Sequence, residues 1–334
     1  MVATFFKGEW LSMSLSSASS RRTKKRRSNG VEFTAKEVKR QWVLIVISVF
    51  YVIYGLIFNY VPLAGWIMAF QNYKLKTGIF HSKFVGFDKF KFLFTSSDFI
   101  GVVRNTFCMG ALNLIFSTIT AIGFAILLNE IKNLWGKKII QTVSYLPHFL
   151  SWIVVCGIVS DALSTTGIIN ELLIKFHILD DTFLFLGSKP WFWPIVTLSH
   201  LWKETGWNAI IYLAAITSID PALYESASID GAGRFQKMWY VTLPSLRPTI
   251  MILLLMNIGN VLNAGFEIQY ILGNDVVRSV SRTIDIYVLQ WAMDGTNLDF
   301  SLGTAAGVFK TLVSIVLIVA GNTIAKKTGD ERLF

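Results

Sequence analysis

Nine side chains carrying a charge, an amide or a ring N–H lie within long apolar stretches of this 334-residue sequence. His200, Lys203, Glu204, Trp207 and Asn208 form one group, Asn257, Asn260 and Glu267 a second, and Lys310 stands alone. Spacings of three, four, seven and eight put the first group along one face of a helix. Asn257, Asn260 and Glu267 fall within about 80° of one another at 3.6 residues per turn, and Lys310 lies roughly 15 Å along its own stretch. A polar group at such depth in hydrocarbon costs a few kcal/mol unless it faces protein or water. The nine therefore face partner helices, as interhelical glue, or a cavity that admits a polar solute. Lys203 and Glu204 are adjacent and point about 100° apart, so no mutual pair is predicted, and His200 with Glu204 is the expected internal pair. Lys310 needs an anion, for which Glu267 or Glu204 are the candidates.

Two common catalytic patterns are missing from the sequence, while a carboxylate pair of the glycosidase kind stays open and its candidate acids fall in the apolar stretches. His81, His148, His177 and His200 show no H-E-x-x-H spacing, and no Ser lies in a G-x-S-x-G elbow. No G-x-x-x-x-G-K-[ST] phosphate cradle occurs, because the GKK at 136–138 has no matching upstream Gly. Cys108 and Cys156 fall in apolar stretches and are expected as small buried hydrophobes, with neither a disulfide nor a metal site.

The elements that hold these side chains follow from composition. Apolar residues make up 53% of the chain and charged ones 16%, against roughly 25% charged in soluble domains. Six windows, near 42–70, 103–128, 139–160, 192–218, 246–272 and 300–325, reach the roughly 20 apolar residues that a membrane span needs. None alternates apolar and polar positions as a barrel strand does, so the predicted class is an all-α integral membrane protein with six transmembrane helices. Lys and Arg number 19 in the two tails and the connections 129–138 and 219–247, against 10 in the alternate loops. Retained positive charge marks the cytoplasmic side, which places both termini and the loop 219–245 inside. The net charge of +10 then reads as a topology signal acting on anionic lipid, and nucleic acid is not implied as a partner.

Three regions are expected. Residues 1–41 form a basic cytoplasmic tail, without a cleavable signal peptide and partly disordered, whose VEFTAKEVKRQ segment at 31–41 is either a surface helix or a solvated lead into the first span. Residues 42–326 form the membrane domain and 327–334 a cytoplasmic C-terminal tail.

The loop between spans four and five reads as a helix-turn-helix elbow. Asp220 caps a first helix over 221–229, Pro221 suits its first position, and Asp230 with Gly231 ends it through a left-handed residue. A second helix is expected from about Ala232 to Thr242, with Pro244 and Pro248 at the start of the fifth span.

This elbow carries a resemblance. YESASIDGAGRFQKMWYVTLP resembles the EAA loop of ABC importer permeases, with Glu225, Ala227, Gly231, Leu243 and Pro244 at matching positions. Ser226 replaces the first Ala of that pattern and Val241 its Ile. WKETGWNAIIYLAAITSIDPALYESASIDGAG at 202–233 and YVPLAGWIMAFQNYKLKTGIF at 60–80 are similar to the subgroup that imports complex oligosaccharides and polysaccharides, over roughly residues 40–330. The resemblance implies a bacterial inner-membrane permease that passes a saccharide inward by alternating access, an acidic one such as alginate being one case. It implies a second, similar permease subunit, a heterodimer being favoured, two cytoplasmic ATPase subunits that bind ATP and Mg, and an extracytoplasmic solute-binding protein. Glu225 and Asp230 would then supply polar contacts to the ATPase, Ala227 and Gly231 close approach, and Leu223 and Tyr224 apolar anchors. Trp207, Asn208, Asn257 and Asn260 have the aromatic and amide chemistry that sugars need, and Lys203 or Lys310 would meet a carboxylated sugar. Asp161, Asp180, Asp181, Asp294 and Asp299 lie in loops that would receive the binding protein. The alternatives are a proton- or sodium-coupled sugar transporter using Glu204, Glu267 and Lys310, and a membrane enzyme acting on lipid-linked sugar.

Overall fold

The structure is a computed structural model that describes residues 39–293 and 298–328. The chain divides into two compact units, residues 1–62 and 63–334. The 31–38 stretch of the expected surface helix, most of the C-terminal tail and Asp294 lie outside the described residues.

The described part of the first unit is a helix that begins α1 (Trp42–Phe70) and passes through a π turn at Leu56–Tyr60. Its side chains are apolar and exposed on every face, including Trp42, Phe50, Tyr51 and Phe58. An all-round apolar helix of this kind belongs in hydrocarbon or against another apolar surface.

The second unit begins with the end of α1. A small antiparallel ribbon follows, pairing β1 (Gln71–Asn72) with β2 (Lys83–Phe84) around α2 (Gly78–His81). Next come α3 (Asp88–Thr95) and α4 (Ser97–Glu130), whose 34 residues make a rod about 50 Å long. Ser96 caps α4 by accepting from the Phe99 N–H. Asn133 caps α5 (Leu134–Tyr145) through the N–H groups of Trp135 and Gly136.

Pro147 then stops the helix in a short 3₁₀ turn, and Ser151 starts α6 (Trp152–Leu163) by capping Val154. The expected single helix over 139–160 is therefore two helices with a bend at 146–151. Proline cannot donate to the ladder and forces the break. α7 (Ile168–Lys175) follows, then the 29-residue α8 (Lys189–Thr217).

α4 and α8 pack along each other and run the same way. At one end the Asn105 amide donates to the Ser279 carbonyl and the Trp193 indole to its neighbour Val280. At the other end Ala121, Ala125 and Leu128 share a buried cluster with Tyr212, Leu213 and Ile216. Two parallel rods need a return path between them, and α5 to α7 supply it.

After α8 the chain forms α9 (Pro221–Ile229) and α10 (Arg234–Ile258). The second arm of the elbow is thus not a separate helix ending at Thr242, for it continues into the long helix. Pro244 and Pro248 lie inside α10, and a π turn at Met238–Thr242 ends two positions before Pro244. Widening that turn accommodates a proline ring that would otherwise strike the carbonyl one turn back.

α10 stops at Ile258. Gly265 at φ +78° leads into α11 (Phe266–Leu272), so the expected span over 246–272 is broken at 259–265. α12 (Arg278–Ser281), α13 (Ile284–Met293) and α14 (Phe300–Thr328) complete the described chain.

Five helical stretches are long and apolar enough to cross a membrane: Trp42–Phe70, Ser97–Glu130, Trp152–Lys175, Arg234–Ile258 and Phe300–Lys327. α8 has comparable length but carries the polar group around Lys203 and Glu204 and is not among them. Buried clusters are stacked along the second unit. One joins Ala69, Phe99, Tyr287 and Ala305, a second joins Met109, Phe192 and Ile268, and the third is the Leu128–Ile216 cluster at the elbow end.

Candidate functional site

The elbow is built by local rules. Asp220 Oδ1 accepts the Ala222 N–H at 2.9 Å and Pro221 occupies the first helical position. Gly231 ends α9 at φ +77°, with the Ala232 N–H bonded back to the Ala227 carbonyl at 2.9 Å. A Cβ at Gly231 would meet nothing within 4 Å, so the glycine answers to backbone conformation and not to space.

Three contacts tie the elbow together. The Tyr224 hydroxyl lies 2.9 Å from Thr242 Oγ1, Lys237 Nζ donates to Ser228 Oγ at 2.6 Å, and the Gly233 N–H donates to Gln236 Oε1 at 2.7 Å. Tyr224 is half-buried, and its hydroxyl is bonded across the elbow. Leu223, Glu225, Asp230, Gly231 and Pro244 are exposed, and Ala227 and Leu243 are half-buried. Ile229, Phe235, Trp239 and Tyr240 add a set of outward apolar side chains that the sequence reading passed over. Ile229 and Phe235 sit in the elbow itself, whereas Trp239 and Tyr240 belong to the stretch Arg234–Ile258 that is apolar enough to cross a membrane. Their signal was available in the sequence, where four large apolar residues flank an elbow of polar ones.

Midway along α8, Lys203, Glu204 and Trp207 turn toward the bend between α5 and α6. Glu204 Oε2 lies 2.8 Å from His148 Nδ1 and Glu204 Oε1 lies 3.3 Å from Lys203 Nζ. Lys203 also donates to the His148 carbonyl at 2.5 Å, and the His148 ring stacks on Trp207 with centroids 4.3 Å apart. Both pairings expected for this group are corrected. Lys203 and Glu204 do pair, because both long side chains converge on the same turn, and the histidine of Glu204 is His148. His200 stacks on Trp152 instead, at 5.9 Å. Gly206 lets the helices meet: a Cβ there would sit 2.1 Å from the Ser144 carbonyl oxygen.

An adjoining strip of α8 faces a cavity of about 370 Å³ between α4, α8 and the break in α10. Four of the nine polar residues singled out in the sequence line it, namely His200, Asn208, Asn257 and Asn260. Asn113, Ser117, Thr118 and Asn263 join them. The Asn208 amide donates to Ser117 Oγ at 3.1 Å and the Asn263 amide to Asn260 Oδ1 at 3.1 Å. Asn113 Oδ1 and His200 Nδ1 are buried without a hydrogen-bond partner. The lining contains five amides, the three hydroxyls of Ser117, Thr118 and Tyr212, and an imidazole, and no Lys, Arg, Asp or Glu. Such a set suits a neutral, hydroxyl-rich surface, since amides both donate and accept. Gly110 brings α4 against this break, where a Cβ would lie 1.7 Å from the Val261 carbonyl oxygen.

The remaining two residues lie elsewhere. Glu267 falls in α11, past the break, and is exposed. With α10 ended at Ile258, it no longer shares a continuous face with Asn257 and Asn260. Lys310 binds Asp285 of α13, with Nζ 2.6 and 2.8 Å from the two carboxylate oxygens. The expected partners Glu267 and Glu204 are corrected to Asp285, an acid whose place beside α14 depends on a helix that the sequence reading took for loop. At the same end Arg282 Nη1 reaches Asp98 at 2.6 Å and Lys89 reaches Asp299 at 2.7 Å. Cys108 and Cys156 are free thiols, and no group of three or more metal-ligating side chains occurs among the described residues.

Residues 113–328 match the family described as binding-protein-dependent transport system inner membrane component. The chain belongs to this family of permeases. The permease is 40% identical to Protein LplB of Bacillus subtilis over 91% of its own length and 95% of that protein's. It is 42% identical to the polygalacturonan/rhamnogalacturonan transport system permease protein YteP of the same organism, over 84% and 87% of the two chains. Among solved structures it resembles a chain of the bacterial alginate ABC transporter in complex with an alginate pentasaccharide-bound periplasmic protein. That match has a TM-score of 0.80 and 37% identity, and it covers 88% of the permease and 97% of the other chain. The permease is therefore a transport component of an ABC importer and not an enzyme, and nucleotide binding belongs to separate ATPase subunits.

Proposed function

We propose that this permease forms one half of the passage for an oligo- or polysaccharide, pairs with a second homologous permease, and is driven inward by two ATPase subunits seated on its elbow. The observation that carries the reading is the amide-lined cavity at the break in α10, with Asn113 Oδ1 and His200 Nδ1 unpartnered. Buried polar groups without partners cost about 1–3 kcal/mol each, and a hydroxyl-rich solute satisfies them. The names of the relatives, which include a polygalacturonan permease and an alginate importer, support a saccharide.

In this reading the chain crosses the membrane six times. α8 is the crossing with the polar middle, hidden from lipid by α4 on one side and the His148 bend on another. Both termini and the elbow are cytoplasmic, in keeping with the excess of Lys and Arg in those segments. Leu223, Glu225, Ala227, Asp230 and Gly231 face an ATPase groove, with Ile229 and Phe235 beside them, while Tyr224, Leu243 and Pro244 hold the elbow to α10. Because α9 is bonded to α10 through Tyr224 and Thr242, motion of the ATPase passes directly into the helix that ends at the cavity. Solute is delivered on the opposite side by a binding protein. Alternating access then consists of closing the passage at one end as it opens at the other.

The test is saccharide uptake into proteoliposomes holding both permeases, the ATPase and the binding protein. Uptake is expected to need ATP and to vanish when the ATPase is omitted. Uptake that persists without the ATPase would overturn the reading.

A further inference from the structure

A further polar pocket of the permease lies outside the cavity, between α11, α12 and α13, and encloses about 160 Å³. We propose that it is a separate station for a carboxylated sugar unit, which reads the charge that the inner cavity ignores. This inference rests on the transport reading above and assigns a substrate class to a site distinct from the cavity.

The pocket is lined by Gln269, Tyr270, Asp275, Arg278, Arg282 and Gln290 among others. Gln269 is wholly buried. Its amide N–H is committed to the Ala264 carbonyl, while its Oε1 has no partner. Arg282 is more than nine-tenths buried. Its Nη1 is held by Asp98, and its Nε is unpartnered. Gln290 Oε1 is likewise buried and unpartnered. Among the residues lining the pocket, two amide oxygens thus lack donors and one guanidinium N–H lacks an acceptor.

Arg278 adds a second guanidinium, exposed and without a hydrogen bond or ion pair among the described residues. Sulfate would answer the guanidinium groups but has no donors for two amide oxygens, and inorganic phosphate has at most two, on a centre too small to offer them across the pocket while its charge meets the guanidinium groups. A metal ion is disfavoured by two positive charges. A neutral sugar supplies donors but no anion for Arg278. A uronate supplies both, with hydroxyls for Gln269, Gln290 and Asp275 and a carboxylate for the guanidinium groups, a pairing stronger than neutral hydrogen bonds.

Position agrees with chemistry. The Ala264 carbonyl that holds Gln269 belongs to the turn whose Ala264 and Gly265 line the inner cavity. α11 therefore separates the two sites, with Gln269 clasping it to the cavity wall. A chain of sugar units passing from the binding protein meets the guanidinium pocket first and the amide cavity second.

The experiment uses the complete reconstituted importer and two saccharides of equal length, an oligogalacturonide and its carboxyl-reduced counterpart. Arg278→Gln is expected to raise the concentration for half-maximal uptake of the oligogalacturonide about tenfold, the loss of one charge-assisted bond, and to leave the reduced saccharide unchanged. Arg278→Lys retains the charge and should recover most of that loss. Equal shifts for both saccharides, or no shift for either, overturn the proposal. Uptake of the reduced form alone by the unaltered importer overturns it too, yet leaves saccharide transport standing. Uptake of neither saccharide overturns the transport reading itself, and this site with it.

Discussion

The elbow and the middle of α8 are both rich in polar residues, and they treat them in opposite ways. In the elbow, Glu225 and Asp230 point outward beside Ile229 and Phe235, and only the local cap and a few cross-contacts are satisfied from within. In the middle of α8, Lys203, Glu204 and Trp207 are consumed by one turn of the same chain around His148. The first region leaves its charged and apolar side chains uncovered. The second is a clamp that has already found its partner and fixes the bend between α5 and α6. Polar character alone does not separate solute contact from structural contact; what separates them is whether the chain itself completes the hydrogen bonds.

The contrast is broken most severely at Gly206, where α8 touches the end of α5 just before the bend. A Cβ there would collide with the Ser144 carbonyl, and backbone cannot swing aside as a side chain does. Gly206→Val is expected to destabilise the permease by about 3 kcal/mol, read as a lower midpoint of thermal unfolding in detergent and a poor yield of assembled importer. An unchanged midpoint would show that the clamp does not hold the bend. Gly231→Val tests the other region. The left-handed backbone at φ +77° costs a β-branched residue roughly 1–3 kcal/mol, but the space around it is open, so the strain stays within the elbow. Coupled uptake should fall about tenfold, with the ATPase still hydrolysing ATP and the unfolding midpoint of the permease nearly kept. Full uptake at normal stability would remove the elbow from the path of force.

The same contrast explains what could be read in advance. Asp220, Pro221 and Gly231 specify the elbow through neighbours one to three residues away, so cap and turn rules were enough to place α9. The long helices were legible for a similar reason, since apolar composition over 20 residues is a local property. The partners of Glu204 and Lys310 were not. His148 is 56 residues from Glu204 and Asp285 is 25 from Lys310, and helical angles on one element say nothing about which element comes alongside. The break in α10 escaped because 259–265 is apolar apart from Asn260 and Asn263 and contains no proline. Asn113 was passed over because a single amide in α4 resembles interhelical glue until the cavity shows what it faces.

Lys310 gives the mildest test, and it bears on charge. Read alone, a lysine near the middle of a span invites a carboxylated solute. In the fold its ammonium is bidentate to Asp285 and absent from the lining of the cavity. Removing one partner of such a pair leaves the other charge partly buried and unpaired, at a cost of about 1–3 kcal/mol. Lys310→Met should therefore lower stability and slow uptake of an acidic and a neutral saccharide alike, by about threefold, and adding Asp285→Asn should restore part of both, because the stranded carboxylate is gone. A larger loss for the acidic saccharide, with no recovery in the double variant, would make Lys310 a reader of solute charge. Equal losses with recovery leave that task to the guanidinium pocket of α12 and α13, whose Arg278 is the basic group there that the chain leaves unengaged among its described residues.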